Sequence, residues 1–230
     1  METKNRTICI ILPALNEEEN IGKVIEEIPK RELEERGYAV RILVVDNDST
    51  DMTAQVARDN GAEVIAEKCK GKGNAMRTGF EQAKADFIFM LDADCTYPGS
   101  YIPELLDKLK SGYDVVIGSR LKGTRAKGSI SRMNIIGNHL LTTMATTLYF
   151  HRISDLCTGY WGFKSEVLPK LKLSANGFDL EADLFTQVVK NGFRIAEIPI
   201  HYRRRGTPTK LSSLRSGIKI ARRLLSNRFS

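Results

Sequence analysis

Two aspartates one residue apart, Asp92 and Asp94, follow directly on the apolar run Phe87-Ile88-Phe89-Met90-Leu91. Such a run, closed by carboxylates, reads as a short buried strand. An Asp-x-Asp pair at a strand end sets two hard oxygen ligands at the edge of a sheet. Mg²⁺ or Mn²⁺ carrying a diphosphate is suited to such oxygens. The implied chemistry is on a phosphate-bearing substrate. The plainer alternative is that the two aspartates only cap the next turn, where Asp is common.

The elements that would position this pair alternate along the first half of the chain. Residues 7–12 are an apolar run stopped by Pro13, and Asn16 with Glu19 has the spacing of a capping box. Ile21, Val24, Ile25 and Ile28 follow at helical spacing. Residues 41–45 read as a second strand, ending in Asp46-Asn47-Asp48-Ser49-Thr50-Asp51. Asp51 is expected to cap rather than to bind a ligand. Val56 and Ala57 fall on the next helix, which Gly61 is placed to stop. Residues 63–66 are a third strand, and Gly71-Lys72-Gly73 opens a helix with Ala75, Met76, Gly79 and Phe80. The strand ending at Asp92 is the fourth. Residues 114–117 are a fifth, ending in Gly118-Ser119-Arg120. This β-α-β-α order predicts an α/β fold with a mostly parallel, Rossmann-like central sheet and helices on both faces. Sheets of this kind bind ligands outside the carboxyl ends of their strands. The polar clusters after Leu12, Val45, Leu91 and Ile117 all lie at such ends, which points to one nucleotide-sized site.

The second half is less regular. Residues 122–131 are rich in Gly and Lys and predict a mobile loop; 133–150 read as a helix, 159–163 as an aromatic strand, 180–190 as a helix and 195–202 as extended. No repeat or interdomain linker interrupts the chain, so residues 1–230 are expected to form a single domain. Hydrophobic residues make up 42% of the sequence, enough for a substantial core. No run reaches transmembrane length and the N-terminus lacks a signal-peptide pattern, so a cytoplasmic location is expected. Cys9, Cys69, Cys95 and Cys157 make no Cys-x-x-Cys pair and read as reduced thiols.

Net charge is +7, but nine basic residues lie between Arg203 and Arg228, where there is no acid. The rest of the chain holds 26 basic against 28 acidic residues and is slightly acidic. This argues against a nucleic-acid binder, which spreads positive charge over a folded face. A basic tail instead suits a membrane surface or a phosphate-bearing partner. Within the predicted helix 211–229, Leu211, Leu214, Ile218, Ala221 and Leu225 form one apolar face. Arg215, Lys219, Arg222 and Arg223 crowd the remaining surface, as in helices that lie in a membrane interface.

Seven motifs occur in an order that resembles the inverting glycosyltransferases of family 2 with a GT-A fold, above all dolichyl-phosphate mannose synthases and related polyprenyl-phosphate glycosyltransferases. They are Pro13-Ala14-Leu15-Asn16-Glu17-Glu18, Val45 to Asp51, Gly71-Lys72-Gly73-Asn74-Ala75, Asp92-Ala93-Asp94, Gly118-Ser119-Arg120, Ser154-Asp155-Leu156-Cys157-Thr158-Gly159 and Gly206-Thr207-Pro208-Thr209-Lys210-Leu211. The resemblance implies a nucleoside diphosphate sugar donor (GDP-mannose, UDP-glucose or UDP-N-acetylglucosamine) and a dolichyl or other polyprenyl phosphate acceptor. It implies that Pro13, Leu15, Glu17 and Asp46 line the nucleoside pocket. Asp92 and Asp94 would hold Mg²⁺ or Mn²⁺ on the diphosphate, with Asp94 and Arg120 at the reacting centre. Gly71-Lys72-Gly73 is either a flexible turn before a helix or a place where Lys72 and the helix N-terminus help hold the diphosphate. Arg120, Arg203, Arg205 and Lys210 are the candidates for phosphate contact. Glu181 and Asp183 either match the family's acidic patch near the sugar or are acids on a helix surface. Tyr160 and Trp161 either contact sugar or lipid or pack in the core. The expected placement is peripheral, on the cytoplasmic face of a membrane, reached directly or through a membrane protein partner.

Two other classes fit parts of the sequence. Asp92-Ala93-Asp94-Cys95-Thr96 matches the nucleophile motif of haloacid-dehalogenase-like phosphatases, in which the first Asp forms an aspartyl phosphate. That motif usually sits on the first strand, whereas about three strands precede it here. A basic nucleic-acid-binding module is the non-enzymatic alternative, and the acidic body counts against it.

Overall fold

In the computed structural model, which describes residues 6–206 and 213–229, the first apolar run forms β1 (Arg6–Ala14). Ile8, Cys9, Ile10, Ile11 and Leu12 have no solvent exposure, as expected in the middle of a parallel sheet covered on both faces. The first half continues through α1 (Ile21–Glu27), α2 (Lys30–Glu35), β2 (Tyr38–Asp46), α3 (Thr53–Asp59), β3 (Glu63–Ala66), α4 (Lys72–Gln82) and β4 (Phe87–Met90). The second half adds α5 (Ile102–Lys110), β5 (Val115–Arg125), α6 (Arg132–Tyr149), β6 (Trp161–Lys164), α7 (Leu180–Lys190), β7 (Ile195–Tyr202) and α8 (Ser213–Phe229). The strands form one sheet in the order β3-β2-β1-β4-β6-β5-β7. β6 runs antiparallel to β4 and β5, and the other pairings are parallel.

Alternation along β1 divides the core. Ile8, Ile10 and Leu12 pack with Ile21 and Val24 of α1 and Leu105 and Leu109 of α5. Cys9 and Ile11 face Ala75 and Met76 of α4 and Leu184 and Val188 of α7. Because β1, β2 and β4 are parallel, their carboxyl ends share one edge. Just beyond those ends, Asn16, Asp48 and Cys95 adopt φ of 50°, 63° and 63°. Left-handed backbone at a non-glycine residue is uncommon and persists where the surroundings hold it in place.

Several elements depart from expectation. The capping box does not form. Asn16 instead accepts a hydrogen bond from the Thr50 amide through Oδ1 at 2.8 Å, and α1 begins only after Asn20. Residues 122–125 continue β5 rather than opening a loop. After a register shift between Ser119 and Thr124, Thr124 and Arg125 pair with His201 and Tyr202 of β7. α2 and α5 were not anticipated, although Ile102, Leu105, Leu106 and Leu109 are buried at helical spacing. Tyr160 and Trp161 are core residues with no exposure. Trp161 Nε1 donates to the Thr158 carbonyl at 2.7 Å, and Tyr160 Oη donates to that of Pro98 at 3.1 Å.

The tail helix has two apolar sides with different fates. Ile220 and Leu224 are buried, and Tyr149 of α6 donates to the Leu224 carbonyl at 2.8 Å. Asn227 donates to Asp183 and Thr186 of α7 at 2.8 and 2.7 Å. Arg223 donates to Asp179 Oδ2 through two nitrogens at 3.0 and 2.8 Å, and Lys219 Nζ lies 3.0 Å from Asp179 Oδ1. Burial opposes ionisation of Asp179, but Arg223 and Lys219 hold its carboxyl below the usual range. Two of the basic residues assigned to an open surface thus fasten α8 to the body, because a buried carboxylate demands a counter-charge. Leu214, Ile218, Leu225 and Phe229 remain exposed on the other side. With Met133, Ile136 and Leu140 of α6 and Phe150 beyond it, they supply eight of the eleven exposed large hydrophobic residues among those described. Lys210 and Leu211 lie outside the described residues.

The two sides of α8 can be told apart by thermal unfolding. Leu224→Ala, at a site with no exposure, is expected to cost about 3 kcal/mol, a fall in Tm of roughly 6–12 °C. Leu225→Ala, 43% exposed, is expected to stay within about 0.5 kcal/mol of the parent. Equal shifts would contradict this docking of α8.

Candidate active site

The loops after β1 and β2 are stitched together before any charged group is placed. Glu17 N–H donates to Thr53 Oγ1 at 2.8 Å, and Glu18 accepts the Met52 amide at 2.8 Å. Asp51 takes the amides of Thr53 and Glu18 at 3.0 and 3.3 Å, tying the start of α3 to the loop after β1, while Met52 holds the N-cap position. Asn47, nearly buried, donates to the carbonyls of Glu67 and Cys69 and accepts the Gly71 amide at 2.7 Å. That bond ties the end of β2 to the start of α4. Gly71 has φ +133°, and a Cβ there would strike the Asn176 carbonyl. Only glycine lets the segment before α7 lie this close to α4.

This close approach brings Lys72 to α7. Its Nζ lies 2.6 Å from Asp92 Oδ1 and 2.7 Å from Glu181 Oε1. The Lys72 and Glu181 side chains are 11% and 8% exposed. Burial disfavours the ammonium, but Asp92 and Glu181 hold it charged far above its ordinary range. Burial also raises the Glu181 carboxyl, against the pull of Lys72. Gly159 closes the opposite side, since a Cβ there would sit 2.7 Å from Asp92 Oδ2.

Asp94 is held from two directions. Thr96 donates to its Oδ1 through Oγ1 at 2.5 Å and through its amide at 3.2 Å. Arg205 Nη1 lies 3.3 Å from Oδ2, while Nη2 meets Glu17 Oε1 at 2.5 Å. Burial and the neighbouring Asp92 charge push the Asp94 carboxyl up, against Thr96 and Arg205. Arg205 is brought in by the end of β7, where the Arg203 amide donates to the Thr96 carbonyl at 3.0 Å. The Arg203 guanidinium itself grips Glu27 at 2.7 and 2.5 Å, to one side of the carboxylate pair.

Arg120 is fixed by a buried network. It donates to Asp155 through Nε, Nη2 and its backbone amide at 2.8, 2.7 and 2.9 Å. Asn138 of α6 donates to the same carboxylate at 2.6 Å. The guanidinium carbon lies 5.3 Å from the ring centre of Tyr202. Burial opposes the Asp155 charge, but Arg120 and Asn138 hold its carboxyl down. A bidentate, desolvated pair of this kind orients the guanidinium tightly. Asp183, read from the sequence as sugar-side, accepts the amides of Ser174 and Ala175 at 2.7 and 2.8 Å and serves the packing of α7.

Pro13 and Ala14 end β1 beside Val45 and Asp46 at the end of β2. Leu15 follows on the same edge, and Asp46 accepts the Ser49 amide at 3.3 Å. The edge therefore gathers Glu17, Asp46, Lys72, Asp92, Asp94, Glu181 and Arg205, with Arg120 anchored nearby. Among the described residues there is no cluster of three or more His, Cys, Asp or Glu able to hold a metal. Two carboxylates alone suit an ion of the Mg²⁺ type, which takes one or two protein carboxylates and fills its other positions with phosphate and water. Sequence reasoning gave no role to Asn47, Asn138 or Asp155. Asn47 and Asp155 carried a signal by lying within two of the quoted motifs, Val45 to Asp51 and Ser154 to Gly159, whereas Asn138 carried none.

Comparison with known proteins agrees with this architecture. The chain is 33% identical over 213 residues to glycosyltransferase AglJ of Haloferax volcanii, covering 91% of this chain and 68% of that protein. It is 32% identical over 218 residues to a dolichyl-phosphate hexose transferase of the same organism, covering 95% and 92%. The fold matches glucosyl-3-phosphoglycerate synthase from Mycobacterium tuberculosis, solved with Mn²⁺, uridine diphosphate and glucosyl-3-phosphoglycerate. That match has a TM-score of 0.78 at 24% identity and covers 97% of this chain and 80% of the other. A phosphatase reading of the Asp-x-Asp motif has no counterpart in these matches. Residues 9–172, which carry the sheet edge from β1 through β6, match glycosyl transferase family 2, and the chain belongs to that family.

Proposed function

We propose that this glycosyltransferase moves a hexose from a nucleoside diphosphate sugar to a polyprenyl phosphate such as dolichyl phosphate, with inversion at the anomeric carbon. The observation that carries the reading is the convergence of Asp46, Lys72, Asp92, Asp94 and Arg205 on one sheet edge. Glu17 and Asp46 have the acceptor oxygens to meet base N–H or ribose hydroxyl groups, beside Pro13 and Leu15. Asp92 and Asp94 would hold Mg²⁺ or Mn²⁺ against the diphosphate. The bound ion supplies Lewis-acid stabilisation of the departing nucleoside diphosphate. Lys72, at the N-terminus of the eleven-residue α4, adds a cation and a helix dipole toward the same anion.

The acceptor supports a simple displacement. A phosphate monoester is already anionic near neutral pH, so its oxygen attacks without a strong general base. Cationic groups must instead bring that anion to the anomeric carbon. Arg120, oriented by Asp155, and Arg205 are the cations placed for this; Arg203 stands farther off on Glu27 and Lys210 lies outside the described residues. The name of the dolichyl-phosphate hexose transferase of Haloferax volcanii favours a lipid phosphate acceptor and leaves the sugar and base open.

Membrane contact fits the uncovered side of α6 and α8. Met133, Ile136, Leu140, Leu214, Ile218 and Leu225 are exposed there, and neither helix contains an acid. Arg215 and Arg222 stay exposed beside the apolar face of α8. An apolar strip flanked by arginine binds anionic bilayers peripherally. No helix among the described residues is long and apolar enough to cross a membrane.

Transfer from a panel of GDP- and UDP-hexoses to a polyprenyl phosphate, with Mn²⁺, tests the chemistry. EDTA is expected to abolish transfer, and Asp94→Ala to lower it roughly 100-fold or more, the scale of lost charge stabilisation at a leaving group. Asp92→Ala is expected to be severely impaired, and the product should carry the inverted anomeric configuration. Transfer indifferent to EDTA and to both substitutions would refute the assignment.

The membrane face is tested separately, with substitutions rather than truncation, because α8 is part of the packed body. Leu214→Ser, Ile218→Ser and Leu225→Ser combined are expected to cut sedimentation with anionic liposomes about tenfold or more. Nucleotide affinity and Tm should stay near the parent values. Unchanged sedimentation would remove this face from the account.

A further inference from the structure

Four carboxylates and two cations interleave at the site in a regular way. Lys72 bridges Asp92 and Glu181. Arg205 bridges Asp94 and Glu17. Each cation thus holds one carboxylate of the Asp-x-Asp pair and one carboxylate from another element. The outer partners are the more buried: the Glu181 and Glu17 side chains are 8% and 6% exposed, against 29% for Asp92 and 11% for Asp94. Lys72 is further fenced in by the glycine turn that opens α4.

We propose that Lys72 and Arg205 are exchangeable counter-ions of Asp92 and Asp94, and that Lys72 couples the binding of a divalent ion to the binding of the nucleoside diphosphate. The proposal rests on the donor-site reading above. A divalent cation on Asp92 meets an ammonium 2.6 Å from the same carboxylate. Two cations that close repel, so the ion alone binds against Lys72. A diphosphate changes the balance. It offers Lys72 an anionic partner in place of Asp92, while Glu181 keeps its own hydrogen bond to the ammonium and serves as the pivot. Arg205, anchored on Glu17, has the corresponding option toward the acceptor phosphate. Ion and diphosphate then each relieve a cost the other pays, and by linkage each raises the other's affinity by one common factor.

Binding rather than turnover reads this directly. Free Mn²⁺ is measured by electron paramagnetic resonance for the full chain, alone and with saturating UDP or GDP. For the parent chain, one of the two nucleotides is expected to tighten Mn²⁺ binding about tenfold or more. Lys72→Met is expected to bind Mn²⁺ alone about fivefold tighter, to bind the nucleotide more weakly, and to reduce the coupling to about threefold or less. These opposite signs separate a counter-ion from a simple phosphate ligand, whose loss leaves the affinity for Mn²⁺ alone unchanged. Lys72→Met with Glu181→Gln removes the stranded carboxylate and is expected to show the same pattern if the single variant folds poorly. Parental Mn²⁺ affinity or undiminished coupling in the folded variants overturns the proposal. A parent chain that binds neither nucleotide with Mn²⁺ instead overturns the donor-site reading beneath it.

Discussion

Like charges brought together at one end of a sheet govern this molecule. Asp92, Asp94, Glu17 and Glu181 converge from three different segments, and carboxylates so close and so shielded from water repel one another unless cations stand between them. Lys72 and Arg205 fill those places, and their positions dictate much else. Gly71 must be glycine for Lys72 to reach α7. The chain just past β7 must be tied by the Arg203 amide to the loop after β4 for Arg205 to reach Asp94. The left-handed residues at the ends of β1, β2 and β4 belong to the same arrangement, because they turn the chain sharply where the strands hand over to the site.

A second set of buried carboxylates does structural work around the first. Asp155 fixes Arg120 and is itself held by Asn138. Asp179 and Asp183 receive Arg223, Lys219 and Asn227 from α8. Since α7 carries Glu181 between those two aspartates, the tail helix braces the element that holds one wall of the site. α6 plays a matching part, with Asn138 facing inward while Met133, Ile136 and Leu140 stay outside.

The parallel core was legible because its residues have one job. β1, β2 and β4 are built on apolar runs, β1 continuing through Pro13 to Ala14, with Asp at or just past the ends of β2 and β4, and their order in the chain fixes a shared edge for the Asp-x-Asp pair and Asp46. Glu63 to Ala66 forms a strand with the predicted bounds, and so does the helix from Leu180 to Lys190. What escaped was set by partners distant in sequence. Residues 122–125 look like a loop by composition, yet β7 supplies the pairing that makes them strand. Arg223 and Lys219 look solvated until Asp179, some forty residues earlier in the chain, is seen beneath them. The identity of Glu181's partner was equally hidden, because Lys72 reaches it only through the glycine turn.

As the donor site proposed above, this carboxylate cluster would hold a metal-bound diphosphate. Anomalous diffraction from crystals grown with Mn²⁺ and a nucleoside diphosphate tests it most directly. One manganese peak is expected within about 2–2.5 Å of carboxylate oxygens from the Asp92–Asp94 pair, with phosphate oxygens completing its shell and Lys72 Nζ moved from Asp92 onto the diphosphate. A nucleotide bound elsewhere, with Lys72 still on Asp92 and no manganese between the aspartates, would contradict it.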